Sequence, residues 1–225
     1  MIKLIFQIFV IFLPWKIRRV FLHIVGINAH KTAHVGFSLI SAHTVELKAY
    51  SRIGNFTFCK CIDKLILGEN SNIGNFNYIT GFSVNHPAVN KYGHFKSVSN
   101  RKCELIIGKH SGITSRHYFD CNGGIYIGDF VQIAGMNSLF LTHSIDLQHC
   151  YQDAKPIVIG DYCFIGTSCT ILKGCIISKK ITVAACSLVN KSLEISNSLY
   201  GGVPAKLLKK DTNYKFYNRK DGFVI

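Results

Sequence analysis

The chain is poor in acidic residues: 12 Asp and Glu stand against 26 Lys and Arg, a formal net charge of +14. A surplus that large implies an anionic partner, whether a polyphosphorylated cofactor, an acidic membrane surface or nucleic acid. Signatures of the last are missing. There is no Arg-Gly-Gly tract, no helix-turn-helix pattern and no zinc-finger spacing, so no nucleic acid partner is expected. A long hydrophobic run is missing too. Ile2 to Leu13 is apolar except at Lys3 and Gln7, well short of the roughly 20 residues a spanning helix needs. No small-residue cleavage site follows, so a cleaved signal peptide is not expected. Nine cysteines are present, but Cys59 and Cys61 are too close and too isolated for a zinc site. An odd count without a secretory signal fits a reducing, cytoplasmic compartment and no resident metal.

What the chain does have is a six-residue beat. An aliphatic residue returns at Ile159, Ile165, Ile171, Ile177, Val183, Val189 and Ile195. A period of six fits neither a helix face nor strand alternation; it marks a stacked repeat. Earlier hexads open at Leu47, Ile53, Leu67, Ile73, Ile107, Ile127, Ile133 and Leu139. Glycine often follows, where it is expected to supply backbone angles other residues resist. The fifth residue is small: Thr57, Ser71, Ser111, Cys163, Cys169, Cys175 and Ser187. These cysteines therefore read as small packing residues. Three hexads make a coil of eighteen residues, as from Ile159 to Ile177, and Ile107 to Ile127 takes twenty. Two larger breaks, near 81–104 and 144–156, are expected to be loops on one face.

This pattern resembles the bacterial hexapeptide-repeat O-acetyltransferases of polysaccharide biosynthesis over about residues 33 to 210. The resemblance implies an all-β solenoid, a left-handed parallel β-helix. The expected organisation is an N-terminal apolar and amphipathic helical segment over 1–30, the β-helix over 31–202 and a short C-terminal tail over 203–225. The apolar stretch, Trp15 and the Lys16-Arg18-Arg19 cluster suit an interfacial segment. They suit equally a cap on the helix end or a contact with a neighbouring subunit. The first alternative gives a peripheral membrane contact through residues 1–22, on the inner face of the bacterial membrane.

The beat stops after Leu139. Thr142-His143-Ser144-Ile145-Asp146 starts a loop that ends at Lys155-Pro156, and the hexads resume at Ile159. A histidine at the root of a loop on a rigid scaffold is how a general base is presented. The T-H-x-x-D loop with its K-P restart resembles the family's active-site segment, which implies that His143 is the catalytic base. Neutral imidazole suits removal of a hydroxyl proton near neutral pH. Asp146 either orients the imidazole or only shapes the loop. One coil earlier, Arg116, His117 and Asp120 could reach the same cleft, and the family likeness makes them acceptor-site residues.

The resemblance also implies an acetyl-CoA groove past the loop, with Gly166, Thr167, Ala185, Asn190 and Lys191 as contacts. Gly202-Val203-Pro204-Ala205-Lys206 is similar to the family's closing signature. Lys206 and Lys209 would meet the cofactor phosphates as point charges. The family forms its sites between subunits of a homotrimer. The expected activity is acetyl transfer from acetyl-CoA to a sugar hydroxyl of a surface polysaccharide or its precursor. An N-acyltransferase of an amino sugar remains an alternative. So does a zinc carbonic anhydrase on the same scaffold, which would recruit His117, His143 and His149.

Overall fold

In the computed structural model, which describes residues 2–222, the hexads become short parallel strands stacked coil on coil. They form three ladders. The first runs from Ile27–Ala29 through the end of Leu39–Leu47 and the end of Phe58–Leu67, then Glu104–Ile107, Ile125–Ile127, Ile157–Ile159 and Ile176–Ile177. The second runs from His34–Val35 through Arg52–Ile53, Asn72–Ile73, Gly112–Ile113, Gln132–Ile133 and Phe164–Ile165 to Ile181–Val183 and Ser198–Gly201. The third continues from the starts of the two long strands through Tyr78–Thr80, Tyr118–Asp120, Leu139–Leu141 and Thr170–Leu172 to Leu188–Val189. A closing strand, Lys206–Lys209, pairs antiparallel with Ser198–Gly201.

Aliphatic side chains point inward and stack on their counterparts in the next coil, two in most strands of the first ladder, such as Ile125 and Ile127, and one in most strands of the second. In the second ladder these are Val35, Ile53, Ile73, Ile113, Ile133, Ile165 and Val183, all buried. The beat slips at two places. Phe140, not Leu139, is the buried residue, and Leu139 faces out. The corner from Ala134 to Ser138, with Gly135 at φ 70° and Asn137 at φ 60°, carries the extra residue that shifts the phase. At the far end Leu193 bridges Ile177 and is buried, whereas Ile195 is exposed.

Glycine is needed at the corners for a different reason than sequence suggests. A Cβ on Gly108 would lie 2.6 Å from the backbone of Gly128 in the next coil, so close approach forbids a side chain. The left-handed position falls two residues later and is taken by ordinary residues such as His110 (φ 57°) and Phe130 (φ 57°). Their rings stack at 4.7 Å, which fits an aromatic to a conformation it otherwise resists.

The small fifth residues satisfy those corners. Ser111 Oγ donates to Gly128 O at 2.8 Å and accepts from Val131 N at 2.9 Å. In later coils Cys163 Sγ and Cys169 Sγ point at Ser178 O and Ala184 O, at 3.0 and 3.2 Å. A thiol thus stands in for a hydroxyl. All nine cysteines are free. Burial pushes the Cys103 and Cys163 thiols up to about 12, and raises Cys59, Cys121, Cys169 and Cys175 as well.

His117 is a packing residue of the same kind. It is buried at the corner between the second and third ladders. Its Nδ1 accepts from Ser138 N at 3.2 Å, which places the proton on Nε2 for Thr114 Oγ1 at 2.9 Å. Desolvation lowers its pKa to about 4, from the usual value near 6.5.

Two outcomes are expected. A thiol-reactive dye should label Cys150 and Cys186, the exposed pair, in the native protein, and the six buried cysteines only after unfolding. Between about pH 6.5 and pH 4 the unfolded chain binds a proton at His117 that the folded chain refuses. The stability from neutral His117 is therefore complete above that window and lost as pH falls through it. Urea unfolding across the window should show a steeper loss for the natural protein than for His117→Gln.

Candidate active site

Both insertions leave the solenoid at the corner between the third and first ladders. The first, near residues 81–103, contains the short helix Pro87–Tyr92. The second is a hairpin of His143–Asp146 against Tyr151–Ala154. His143 sits where the third ladder ends and this hairpin begins. Its partner comes from the coil before: pairing of Tyr118–Asp120 with Leu139–Leu141 brings the Asp120 side chain to it.

Asp120 Oδ2 lies 2.5 Å from His143 Nδ1 and accepts from His143 N at 3.1 Å. Asp120 Oδ1 accepts from Asn122 N and Asn122 Nδ2, at 3.1 and 2.6 Å. Thr142 Oγ1 donates to Asp120 O at 2.6 Å and accepts from Gly123 N at 2.7 Å. The carboxylate is 1% exposed, while the imidazole is 37% exposed. A buried, fully bonded carboxylate at Nδ1 holds the proton on that nitrogen. The lone pair of Nε2 is left for a reacting group.

The first insertion closes over this pair. Phe95 is buried with its ring edge-on to His143, centroids 5.8 Å apart. Arg101 stacks on Phe95 at 4.5 Å and donates through Nη1 to Asn122 O at 3.0 Å. A cleft of about 280 Å³ opens between the two insertions, lined by Gly93, Phe95, Lys96, Ser97, Tyr151 and Gln152. Gln152 Oε1 is buried there without a hydrogen-bond partner.

The structure brings together some of the residues expected from sequence and separates others. Asp146 does not hydrogen-bond to His143. It lies at the hairpin tip, where it accepts from His149 N at 3.0 Å and sits 3.2 Å from His149 Nδ1. The bond from the His149 backbone amide holds its carboxyl below the usual range. Asp120, expected to face the acceptor, is instead the residue that meets His143. Arg116 and His117 lie at the opposite end of that strand. Arg116 is exposed, its guanidinium 5.8 Å from the Phe76 ring centre, and His117 spends both ring nitrogens inside the solenoid. His149 is tied to Asp146, and within one chain no metal-holding group of three is found among the described residues; the zinc alternative calls for histidines that converge across a subunit interface.

The cofactor candidates divide between two corners. Gly166, Thr167 and Ala185 form a smooth strip between the second and third ladders. A Cβ on Gly166 would meet Ala185 N at 2.6 Å, and Thr167 Oγ1 is tied to Met136 N and O at 3.0 Å each. Asn190 and Lys191 follow the third ladder, on the corner of His143 but further along the stack, and both are exposed. Lys206 and Lys209 lie exposed on the closing strand. Asn122, Phe95 and Arg101 were not legible as site residues. The trace in sequence is Asp120-Cys121-Asn122, one coil before Thr142-His143.

No family model matches the chain. The putative lipopolysaccharide biosynthesis O-acetyl transferase WbbJ of Escherichia coli is 29% identical over 129 residues, 57% of this chain and 60% of that protein. The match thus spans less than two thirds of that relative. Among solved structures, the polysialic acid O-acetyltransferase OatWY has a TM-score of 0.54 at 19% identity, over 84% of this chain and 86% of that one, and is similar in fold. A hexapeptide-repeat acetyltransferase of Vibrio cholerae, VCA0836, is 34% identical over 48% of this chain and 62% of its own, with a TM-score of 0.45. With hexads in register and three parallel ladders, the chain is similar in sequence, over part of its length, to hexapeptide-repeat and lipopolysaccharide O-acetyltransferases, and in fold to OatWY.

Proposed function

We propose that the protein transfers an acetyl group from acetyl-CoA to a sugar hydroxyl of a bacterial surface polysaccharide or its precursor, with His143 as general base. The observation that carries this reading is the Asp120–His143 pair, buried at Nδ1 and open at Nε2. Asp120, rather than Asp146, is the positioning residue. The thioester of acetyl-CoA supplies the acetyl group. His143 Nε2 takes the proton of the acceptor hydroxyl as that oxygen attacks, and Asp120 stabilises the imidazolium that results. The same proton then passes to the departing thiolate, so the base is regenerated without a covalent acyl-enzyme. An amino-sugar nitrogen would use the same base, and both acceptor types belong in the assay.

The cleft between the insertions suits the acceptor. Phe95 and Tyr151 offer aromatic surface to a sugar ring, and Gln152 Oε1 lacks the donor that a hydroxyl would provide. The donor fits along the Gly166–Ala185 strip, where small residues let an extended chain approach the backbone. Exposed Lys206 and Lys209 on the closing strand would meet its phosphates, and Asn190 and Lys191, on the corner of His143, would meet polar groups of a donor bound across that corner. We infer left-handed coiling, a solenoid over 31–202 flanked by the N-terminal segment and the tail, and a homotrimer. The likeness in fold supports the first two, and the tendency of oligomers to close by symmetry supports the third.

His143→Ala should abolish acetyl-CoA consumption with a glycan acceptor while acetyl-CoA binding persists. Asp120→Asn should lower kcat by about a hundredfold or more, and Asp146→Asn should leave it within a few-fold. Unchanged turnover in His143→Ala would overturn the mechanism. Gln152→Ala and Tyr151→Ala should raise KM for the acceptor and leave KM for acetyl-CoA unchanged, measured by varying each substrate in turn.

A further inference from the structure

The N-terminal hairpin exposes much of its apolar surface. Its two helices, Ile2–Val10 (α1) and Trp15–Ile24 (α2), cover the open first coil. Val10 and Leu22 turn inward onto the core, and two polar side chains are buried with them. Gln7 is 3% exposed and pairs with Ile40 as a further strand would: Nε2 donates to Ile40 O at 2.7 Å and Oε1 accepts from Ile40 N at 2.9 Å. Arg18, 5% exposed, donates to Val35 O and to Ile11 O. These side chains saturate the unpaired edge of the solenoid.

The residues turned outward are apolar. Phe9 is 80% exposed, Phe12 84%, Ile24 71%, Val20 61% and Ile8 52%. Beside Phe12 an apolar groove of about 520 Å³ continues this surface along Ile11, Phe37, Leu39, Phe56 and Phe58. A contiguous patch of that kind needs a cover. Charge identifies the cover. The first 45 residues contain Lys3, Lys16, Arg18, Arg19 and Lys31 and no acidic residue at all. Lys3, Lys16 and Lys31 are exposed. A second copy set face to face would bring like charges together, whereas an anionic bilayer would neutralise them. No helix among the described residues is long and apolar enough to cross a membrane, so the hairpin would lie in the interface.

We propose that the outer face of the hairpin docks the protein on an anionic phospholipid surface, with Phe9, Phe12 and Ile24 inserted among the acyl chains and Lys16 and Arg19 at the headgroups. The proposal does not depend on the acetyl-transfer reading. The test is co-sedimentation of the full chain with phosphatidylcholine vesicles, with or without phosphatidylglycerol. Binding should require phosphatidylglycerol and weaken with salt. Phe9→Ser/Phe12→Ser should weaken it about tenfold or more, and Lys16→Ser about fivefold. Both sites are exposed, so circular dichroism should show an unchanged fold. Absence of binding by the natural chain would overturn the proposal. So would a Phe9→Ser/Phe12→Ser variant that binds vesicles as before, or one whose only change in sedimentation velocity is a smaller assembly, which would assign the face to a second copy.

Discussion

Everything in this molecule depends on the hydrogen bonds that run from each coil to the next along the stack. Gly108 N reaches Ile127 O, Gly128 N reaches Ile159 O and Gly160 N reaches Ile177 O, each at 2.8 Å. That spacing brings backbones together at the corners until a Cβ has no room. It also sets side chains of equal rank above one another, so continuous apolar stacks fill the walls. The buried hydroxyls and thiols follow from the same constraint, because the corner carbonyls they meet lie away from water and need a donor.

The candidate active site is a place where that order is kept on one side and abandoned on the other. Asp120 belongs to a strand held in register on both sides, and its carboxylate is fixed by Asn122 and by the His143 amide. Ladder pairing ends at Leu141, and His143, two residues on, is the first residue of the hairpin. A rigid carboxylate and a half-exposed imidazole are thereby joined across two coils. The insertions add the walls of the cleft beside it, and Phe95 links them to the imidazole.

Much of this was legible in the hexads, and the failures have a common origin. Position within a repeat is visible in sequence, so the walls, the packing cysteines and the break at His143 could be read directly. Phase is less visible: one extra corner residue moved the inward position from Leu139 to Phe140, and the last coil closed on Leu193. Partners across coils are hardest to see. Asp146 stands near His143 along the chain, but the hairpin carries it away to His149. Asp120 stands 23 residues back and is in contact. In a solenoid, nearness is counted in coils, and local motif logic underestimates it.

The regular stack also acts as a ruler. Along the third ladder the strand that leads into His143 is the fifth, after those at Leu39, Phe58, Tyr78 and Tyr118. Four coil spacings of about 4.8 Å amount to roughly 19 Å. With the helical hairpin lying between the first coil and a bilayer, the imidazole would stand at least that far from the membrane whatever the acceptor. A glycan growing from a lipid would present only the sugar units found at that level. The number of coils beneath the histidine, rather than any contact with the sugar itself, would then choose which residue of the chain is modified.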